Sequence, residues 1–403
     1  MKQLFFLFTA TCSLLPVFIL AQDNVPVKNL NPFAAGNNQF PLKQNASLKF
    51  LNVYEDGEKT GKTNSESVFI IYNRFITNGF AIGGQLSANW SGDHNGVDYL
   101  NRAWTGGVYL TYGKHFSDKF NMYVRLGGKY GQEKDITEYS GNTTTDEWKK
   151  YEFNSRVAFP FVMNKAQTVY GTPSINYKYS GWDYDDSKET GSEIEFYYGF
   201  EDYSDCDEMG WDEDREFSKD MYDQGSAFID YYSKLAVSFS GNKTVYDNTS
   251  INDYRNTLSR IRFHANGGFY LADNFAAGLN VRVDAGSEKE KDTDFKYNWS
   301  EWTAGPFINY NLPSKGCWNN MFLEAGAEFG GNTNKNSYVT GSTTNKYSVF
   351  DWRVGLAYNL FIGPNISLTP KLSWEQNSEK NKDDDSKYEE KGVVFRLGTR
   401  YSF

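Results

Sequence analysis

Val393-Val394-Phe395-Arg396-Leu397-Gly398-Thr399-Arg400-Tyr401-Ser402-Phe403 closes the chain. Val393, Phe395, Leu397, Thr399, Tyr401 and Phe403 fall on one face of a period-2 strand. Arg396 and Arg400 fall on the other. The run is long enough to cross a bilayer as a tilted strand, with its arginines turned away from lipid. A strand of this kind, finishing on an aromatic residue, is expected to be zipped to a neighbour in a closed barrel, because an open edge in lipid leaves backbone groups unpaired.

The other end of the chain agrees. Met1-Lys2-Gln3 is a short basic start, Leu4 to Leu20 is mainly apolar, and Ala21 precedes Gln22. This pattern predicts a cleaved signal peptide over 1–21. Export together with a terminal strand carrying Phe403, Tyr401, Leu397 and Phe395 resembles the bacterial outer-membrane β-barrel proteins. Thr399 is the weak member of the pattern. In that family the terminal aromatic strand is what the barrel-assembly machinery reads. The Gln after the cut and the Tyr/Asn/Lys-rich composition are similar to proteins of the Bacteroidota. The resemblance implies an outer-membrane location in a Gram-negative bacterium and names no particular function.

Composition fits a barrel better than a helical membrane protein. Mean hydropathy is -0.64, and after residue 20 no apolar run could form a spanning helix. In a barrel only every second strand residue meets lipid, so the average stays polar. Aromatics at 17% suit interfacial girdles. A net charge of -10 argues against nucleic acid as a partner. Only Cys206 and Cys317 remain after the signal peptide, too few for a disulfide scaffold.

The same alternation recurs along the chain. It predicts strands over 46–55, 66–76, 78–90, 103–115, 119–131, 150–162, 167–180, 192–201, 226–240, 258–271, 274–285, 300–311, 320–330, 347–361, 365–376 and 389–403. The fold class is therefore all-β, a closed antiparallel transmembrane barrel of sixteen strands. The weakest strand is 192–201, and fourteen strands remain the alternative. Short connections (76–78, 116–118, 163–165, 272–274, 362–364) alternate with long polar ones (56–65, 91–102, 132–148, 241–257, 286–299, 331–346, 377–388). That is the contrast expected between periplasmic turns and outer loops. Trp90, Trp104, Trp302, Trp352 and Trp374 are expected in one lipid-facing girdle, and Phe80, Phe120, Phe161, Phe275 and Phe403 in the other. Residues 22–45 read as a periplasmic leader, with a short plug in the lumen as the alternative, and 46–403 as the barrel.

The inward parity carries charge of both signs. Arg125, Arg156, Arg260, Arg262, Arg282, Glu324, Glu328, Asp351, Arg353 and Arg396 are the candidate pore-facing residues. Lys129, Lys178, Lys371, Arg400, Glu152, Asp230, Asp284 and Glu375 share their parity. Charges at this depth need water or partners. One reading is a passive porin-like channel, placed first because sixteen strands enclose space for water. The other is a structural or surface-interaction barrel whose lumen is salt-bridged shut.

Catalysis has little support. His94, His115 and His264 lie on separate segments with no nucleophile beside them, and no cofactor motif is present. Residues 183–223 hold 17 acidic side chains against Lys188, Arg215 and Lys219. Within them Asp205, Asp207, Gly210 and Glu216 approach a calcium-loop spacing, broken at Met209 and Asp212. A divalent cation there is one reading, and a solvated charged segment is the other. The expected partners are outer-membrane lipid and the assembly machinery, with a homo-oligomer left open.

Overall fold

The computed structural model describes residues 31–402, apart from 42–44, 95–97, 118–119, 140–141, 163–168, 185–186, 205–221, 231–233, 247–253, 292, 294, 313–319, 339–340 and 364–365. The expected signal peptide, Cys206, Cys317, the calcium-loop residues and Phe403 lie outside the described residues.

The first half of the chain forms β1 (Asn38–Pro41), β2 (Asn45–Glu55), β3 (Glu58–Thr77), β4 (Phe80–His94), β5 (Asp98–Ser117), β6 (Phe120–Tyr139), β7 (Asn142–Ala158), β8 (Phe161–Val162), β9 (Val169–Asp183) and β10 (Ser187–Ser204). The second half forms β11 (Ala227–Asp230), β12 (Lys234–Tyr246), β13 (Tyr254–Ala272), β14 (Phe275–Glu290), β15 (Lys296–Asn311), β16 (Met321–Tyr338), β17 (Gly341–Tyr358), β18 (Leu360–Gly363), β19 (Ile366–Asn381) and β20 (Lys387–Ser402). The pieces β1/β2, β7/β8, β11/β12 and β17/β18 each occupy one wall position. The wall is therefore a closed, all-antiparallel ring of sixteen strands, as the alternation predicts. β10 covers the segment on which the fourteen-strand alternative turned.

The strands run further than their lipid-facing stretches require. β3, β5 and β6 are 20 residues each, where about 10 suffice to cross. Most of the expected long outer loops are thus largely continuations of the ladder into polar sequence. The loop expected at 56–65 is a turn at Asp56-Gly57, both at positive φ, followed at once by β3. Asp-Gly is the residue pair that a two-residue hairpin favours. The loop expected at 132–148 is the top of the β6–β7 hairpin, with Tyr139 opposite Asn142. Lipid contact ends where the sequence turns polar, but the backbone still needs partners, and the neighbouring strand supplies them.

Outward-facing apolar side chains form a band around the ring. Val108 is 70% exposed and Leu372 55%, with Leu110, Leu126, Ile194, Phe239, Leu279, Leu323 and Leu356 at the same depth in the sequence pattern. Apolar surface repeated on so many strands suits lipid and not water. No helix among the described residues is long and apolar enough to cross a membrane.

The two halves repeat each other element by element. β1 to β10 correspond to β11 to β20, and the inter-strand registers are kept through the wall: Gly113 faces Tyr123 as Asn311 faces Phe322, and Tyr123 faces Ala158 as Phe322 faces Ala357. The repeat extends to irregular backbone. Gly36 and Gly225 have φ of 94° and 95°. Gly36 N–H donates to Phe75 O and Gly225 N–H to Tyr270 O, both at 2.8 Å. The chain is a duplicated eight-strand unit.

At the short-turn end the ring pinches in two. There β1 bridges β3 and β10, closing an eight-stranded ring of the first half. β11 bridges β13 and β20, closing a second ring of the second half. The outward faces of β10 and β20 meet at the pinch, where Phe200, Ile366 and Tyr401 are buried, with Tyr198 and Ile229 half-buried against them. This corrects the reading of the terminal strand. Val393 lies in the lipid-facing band, but Tyr401 is 1% exposed, covered by the neighbouring lobe.

Candidate functional site

Two regions of the interior differ in kind. The short-turn end consists of two packed lobes, and the long-hairpin end is a single sixteen-strand ring, hereafter the chamber.

In the first lobe, residues 31–41 enter the barrel. Phe33 is buried against Phe75, Tyr123 and Tyr203, with ring centroids 5.5 to 6.3 Å apart. Its seat exists because residue 113 is glycine: a Cβ there would lie 2.6 Å from the Phe33 ring. Asn78 Oδ1 accepts from Ala35 N–H at 3.0 Å, and Gly79 N–H donates to Phe33 O at 2.7 Å. Residues 31–41 thus lie inside the lumen and, through β1, in the wall, within the 22–45 stretch read from sequence as a leader or, alternatively, a short plug.

Above Phe33 sits a buried polar knot around Glu201. Its carboxylate accepts from Gln39 Nε2 (2.8 Å), Tyr123 OH (2.7 Å) and Tyr203 OH (2.9 Å), and pairs with Arg156 Nη1 at 2.9 Å. Arg125 donates to Gln39 Oε1 and Thr111 Oγ1, and lies over the rings of Tyr109 and Tyr123.

The second lobe has the same plan with other chemistry. Tyr222 takes the place of Phe33, packing near Tyr270 and Phe361, and Phe228 packs near Tyr270 and Phe307. Gln224 N–H donates to Asp273 Oδ1 at 3.1 Å, as Ala35 does to Asn78. At the position of Glu201 stands Arg400. It pairs bidentately with Asp230, at 2.6 and 3.1 Å, and lies over Phe228 and Phe322. At the positions of Arg125 and Lys129 stand Glu324 and Glu328. Arg353 bridges both, and Lys371 also binds Glu324.

An eight-stranded barrel has an interior just wide enough for side chains to fill. Both lobes are filled, with Phe33, Phe75, Tyr123, Gln39, Phe228, Phe307 and Phe322 fully or almost fully buried.

The chamber is wetter. Arg260 pairs with Asp284 (Nε to Oδ1, 2.8 Å), Arg262 with Glu195 (2.9 Å), Arg282 with Glu301 (3.0 Å), Lys178 with Glu193 (2.6 Å) and Arg396 with Glu375 (2.6 Å). The Arg282 side chain is 51% exposed, against 15% for Arg353 in the lobe below. The ten candidate pore-facing residues thus fall into two sets. Arg260, Arg262, Arg282 and Arg396 line the chamber or its floor. Arg125, Arg156, Glu324, Glu328 and Arg353 lie in the packed lobes. Asp351 sits between them, opposite Glu328, and its Oδ1 has no hydrogen-bond partner among the described residues.

The parity argument missed Glu201, Gln39 and the seat of Phe33. Glu201 was hidden in an acidic run, and Gln39 and Phe33 in a Pro- and Asn-rich stretch with no period. A signal for the second lobe was present. Asn121-Met122-Tyr123-Val124-Arg125-Leu126-Gly127-Gly128-Lys129-Tyr130-Gly131 repeats as Asn320-Met321-Phe322-Leu323-Glu324-Ala325-Gly326-Ala327-Glu328-Phe329-Gly330. Trp104-Thr105-Gly106-Gly107 repeats as Trp302-Thr303-Ala304-Gly305.

The three histidines stay apart. His94 binds Asp98 at an exposed hairpin end (2.8 Å), His115 binds Asn121 and His264 binds Asn280. Among the described residues no group of three His, Cys, Asp or Glu side chains is placed to hold a metal.

No protein-family model matches the chain, and no curated protein matches its sequence. Solved structures similar to it are bacterial outer-membrane barrels, channels among them. CdiB from Acinetobacter baumannii overlaps with a TM-score of 0.37 at 12% identity, over 91% of this chain and 60% of that one. The CymD monoaromatic hydrocarbon channel overlaps at 0.33 and 8% identity, over 93% and 91%. The outer membrane protein opdK from Pseudomonas aeruginosa overlaps at 0.30 and 8% identity, over 91% and 99%. These are likenesses of one β-barrel to another and take the reading of function no further.

Proposed function

We propose that this chain is an outer-membrane barrel with a blind chamber: open at the long-hairpin end, closed at the periplasmic end by the two lobes, and acting at the surface as a binding barrel. The observation that carries this is the contrast in burial between Arg282 and Arg353, neighbours along one lumen. A passive porin-like channel for small solutes or ions, the rival reading, requires a continuous water path. The tilted and edge-on aromatics and the Glu201 and Arg400 knots stand in that path. Export by a cleaved signal peptide and insertion by the assembly machinery belong to the same proposal.

Two measurements test it. Arg282→Cys, in a background with Cys206→Ser and Cys317→Ser, is expected to react with a membrane-impermeant maleimide on whole cells, while Thr111→Cys in the first lobe stays unlabelled. Purified protein in planar bilayers is expected to give no stepwise conductance. Regular open-channel steps would overturn the blind chamber and favour the passive pore.

A further inference from the structure

β1 and β2 occupy one wall position yet change partner between Pro41 and Asn45. Below that point β1 pairs with β10 of its own half. Above it β2 pairs with β20 of the other half. β11 and β12 do the same in mirror fashion, first with β20 and then with β10. The upper ring has sixteen strands only because these two upper segments have traded halves.

We propose that this trade is reversible at the level of folding. The same chain has a second closed arrangement, two complete eight-stranded barrels side by side, in which β2 pairs with β10 and β12 pairs with β20. The sixteen-strand ring is then an intramolecular strand swap between duplicated units.

Along β10 and β20 the ladders extend straight, although the same segments carry two extra residues against β3 (between Gln39 and Asn45) and against β13 (between Ile229 and Lys234). Extending the β1–β10 ladder from the pair Pro41–Glu201 by eight residues brings Lys49 opposite Glu193, and further extension brings Glu55 opposite Ser187, where β10 begins. Extending β11–β20 from Asp230–Arg400 brings Ala236 opposite Val394, and then Lys243 opposite Lys387, where β20 begins. Side-chain faces agree as well. A slip of one residue would turn every side chain over, but Gln39 and Lys49 share one parity, as do Phe228 and Ala236, and each is matched by inward residues of the alternative partner. The lipid face is indifferent to the choice. Leu48 now faces Phe395 and would face Ile194, and Leu235 now faces Tyr198 and would face Phe395. Inward charges do not choose strongly either, since Lys49 is now opposite Val394 and would face Glu193, which Lys178 already holds at 2.6 Å.

The ladders exchanged are of near-equal length, so backbone pairing barely distinguishes the two forms. Exchange of an identical element between equivalent units is a low-cost rearrangement. The choice falls during assembly, because opening either seam in lipid would strand unpaired backbone groups. The shared chamber exists only in the swapped form, so a chamber ligand present during assembly would raise that form's share. This goes beyond the blind-chamber reading.

Cross-strand cysteines in the full chain decide it, with Cys206→Ser, Cys317→Ser and a protease site placed within 205–221. Lys49→Cys with Val394→Cys reports the swapped form and holds both halves together after oxidation and cleavage. Lys49→Cys with Glu193→Cys reports the unswapped form and releases the halves on a non-reducing gel. Disulfide in substantial fractions of both variants, isolated from outer membranes, is the expected result. Disulfide in the first variant alone would overturn the proposal and leave a fixed sixteen-strand ring. Disulfide in the second alone would overturn it too, and would remove the shared chamber with it. Maleimide labelling of Arg282→Cys separates that last outcome from a failure of the chamber reading alone. The opposite seam supplies a second set against failed assembly: Ser240→Cys with Glu193→Cys for the swapped form, and Ser240→Cys with Glu390→Cys for the unswapped.

Discussion

The two lobes share a backbone plan and invert its charges. Glu201 in the first lobe is matched by Arg400 in the second, Arg125 by Glu324 and Lys129 by Glu328, and in the chamber above them Lys178 is matched by Glu375. The ladders that hold these residues keep the same register. Strand pairing, the aromatic plug and small residues such as Ala81 and Ala276 set the shape. Polarity is free to invert, provided that each lobe brings its own counter-charges. A buried charge stripped of its partner is costly, whereas a matched set of either sign is tolerated.

Removing the centre of each knot is the sharpest way to break this comparison. Glu201→Gln leaves Arg156 and Arg125 buried without a carboxylate, and is expected to cost about 3–5 kcal/mol of stability. Arg400→Gln frees Asp230, which keeps some access to water, so a loss of about 2 kcal/mol is expected. Urea unfolding in detergent, followed by heat-modifiable mobility, measures both. Equal losses would mean that the two knots are equally sealed.

The plugs come next. Phe33→Ala empties a site lined by three rings and should cost about 3 kcal/mol. Tyr222→Ala removes a ring that keeps a hydroxyl bonded to Asn359, and the same unfolding assay should show a loss of similar size. An effect at Phe33 with none at Tyr222 would end the equivalence of the plugs.

Gly36→Ala and Gly225→Ala impose the same left-handed strain at equivalent turns, so each should cost about 1–2 kcal/mol. A difference well beyond that spread would show that the repeat is not kept at these turns. The smallest effect belongs to the chamber. Arg260→Ala breaks a pair that water already screens, and should cost about 0.2–1 kcal/mol. A loss on the scale of Glu201→Gln would place Arg260 in a sealed lumen and remove the contrast between chamber and lobe.

The alternation of side chains determined the strands and their inward faces by itself, because a strand's two sides are fixed by the period-2 geometry of its own backbone, and left their number between fourteen and sixteen. Segments such as Phe120 to Tyr130 and Val393 to Leu397 could be assigned from that alone. Sequence also held the duplication, in Asn121-Met122 and Asn320-Met321, since equivalent positions face equivalent packing. Tertiary structure alone decided which strand met which at the seams. That choice depends on closure between residues far apart in the chain, and no local period encodes it. The same closure pinched the ring, turned Tyr401 from lipid to a buried contact, drew Phe33 and Gln39 into the lumen, and divided one set of inward charges into sealed knots and a wet chamber.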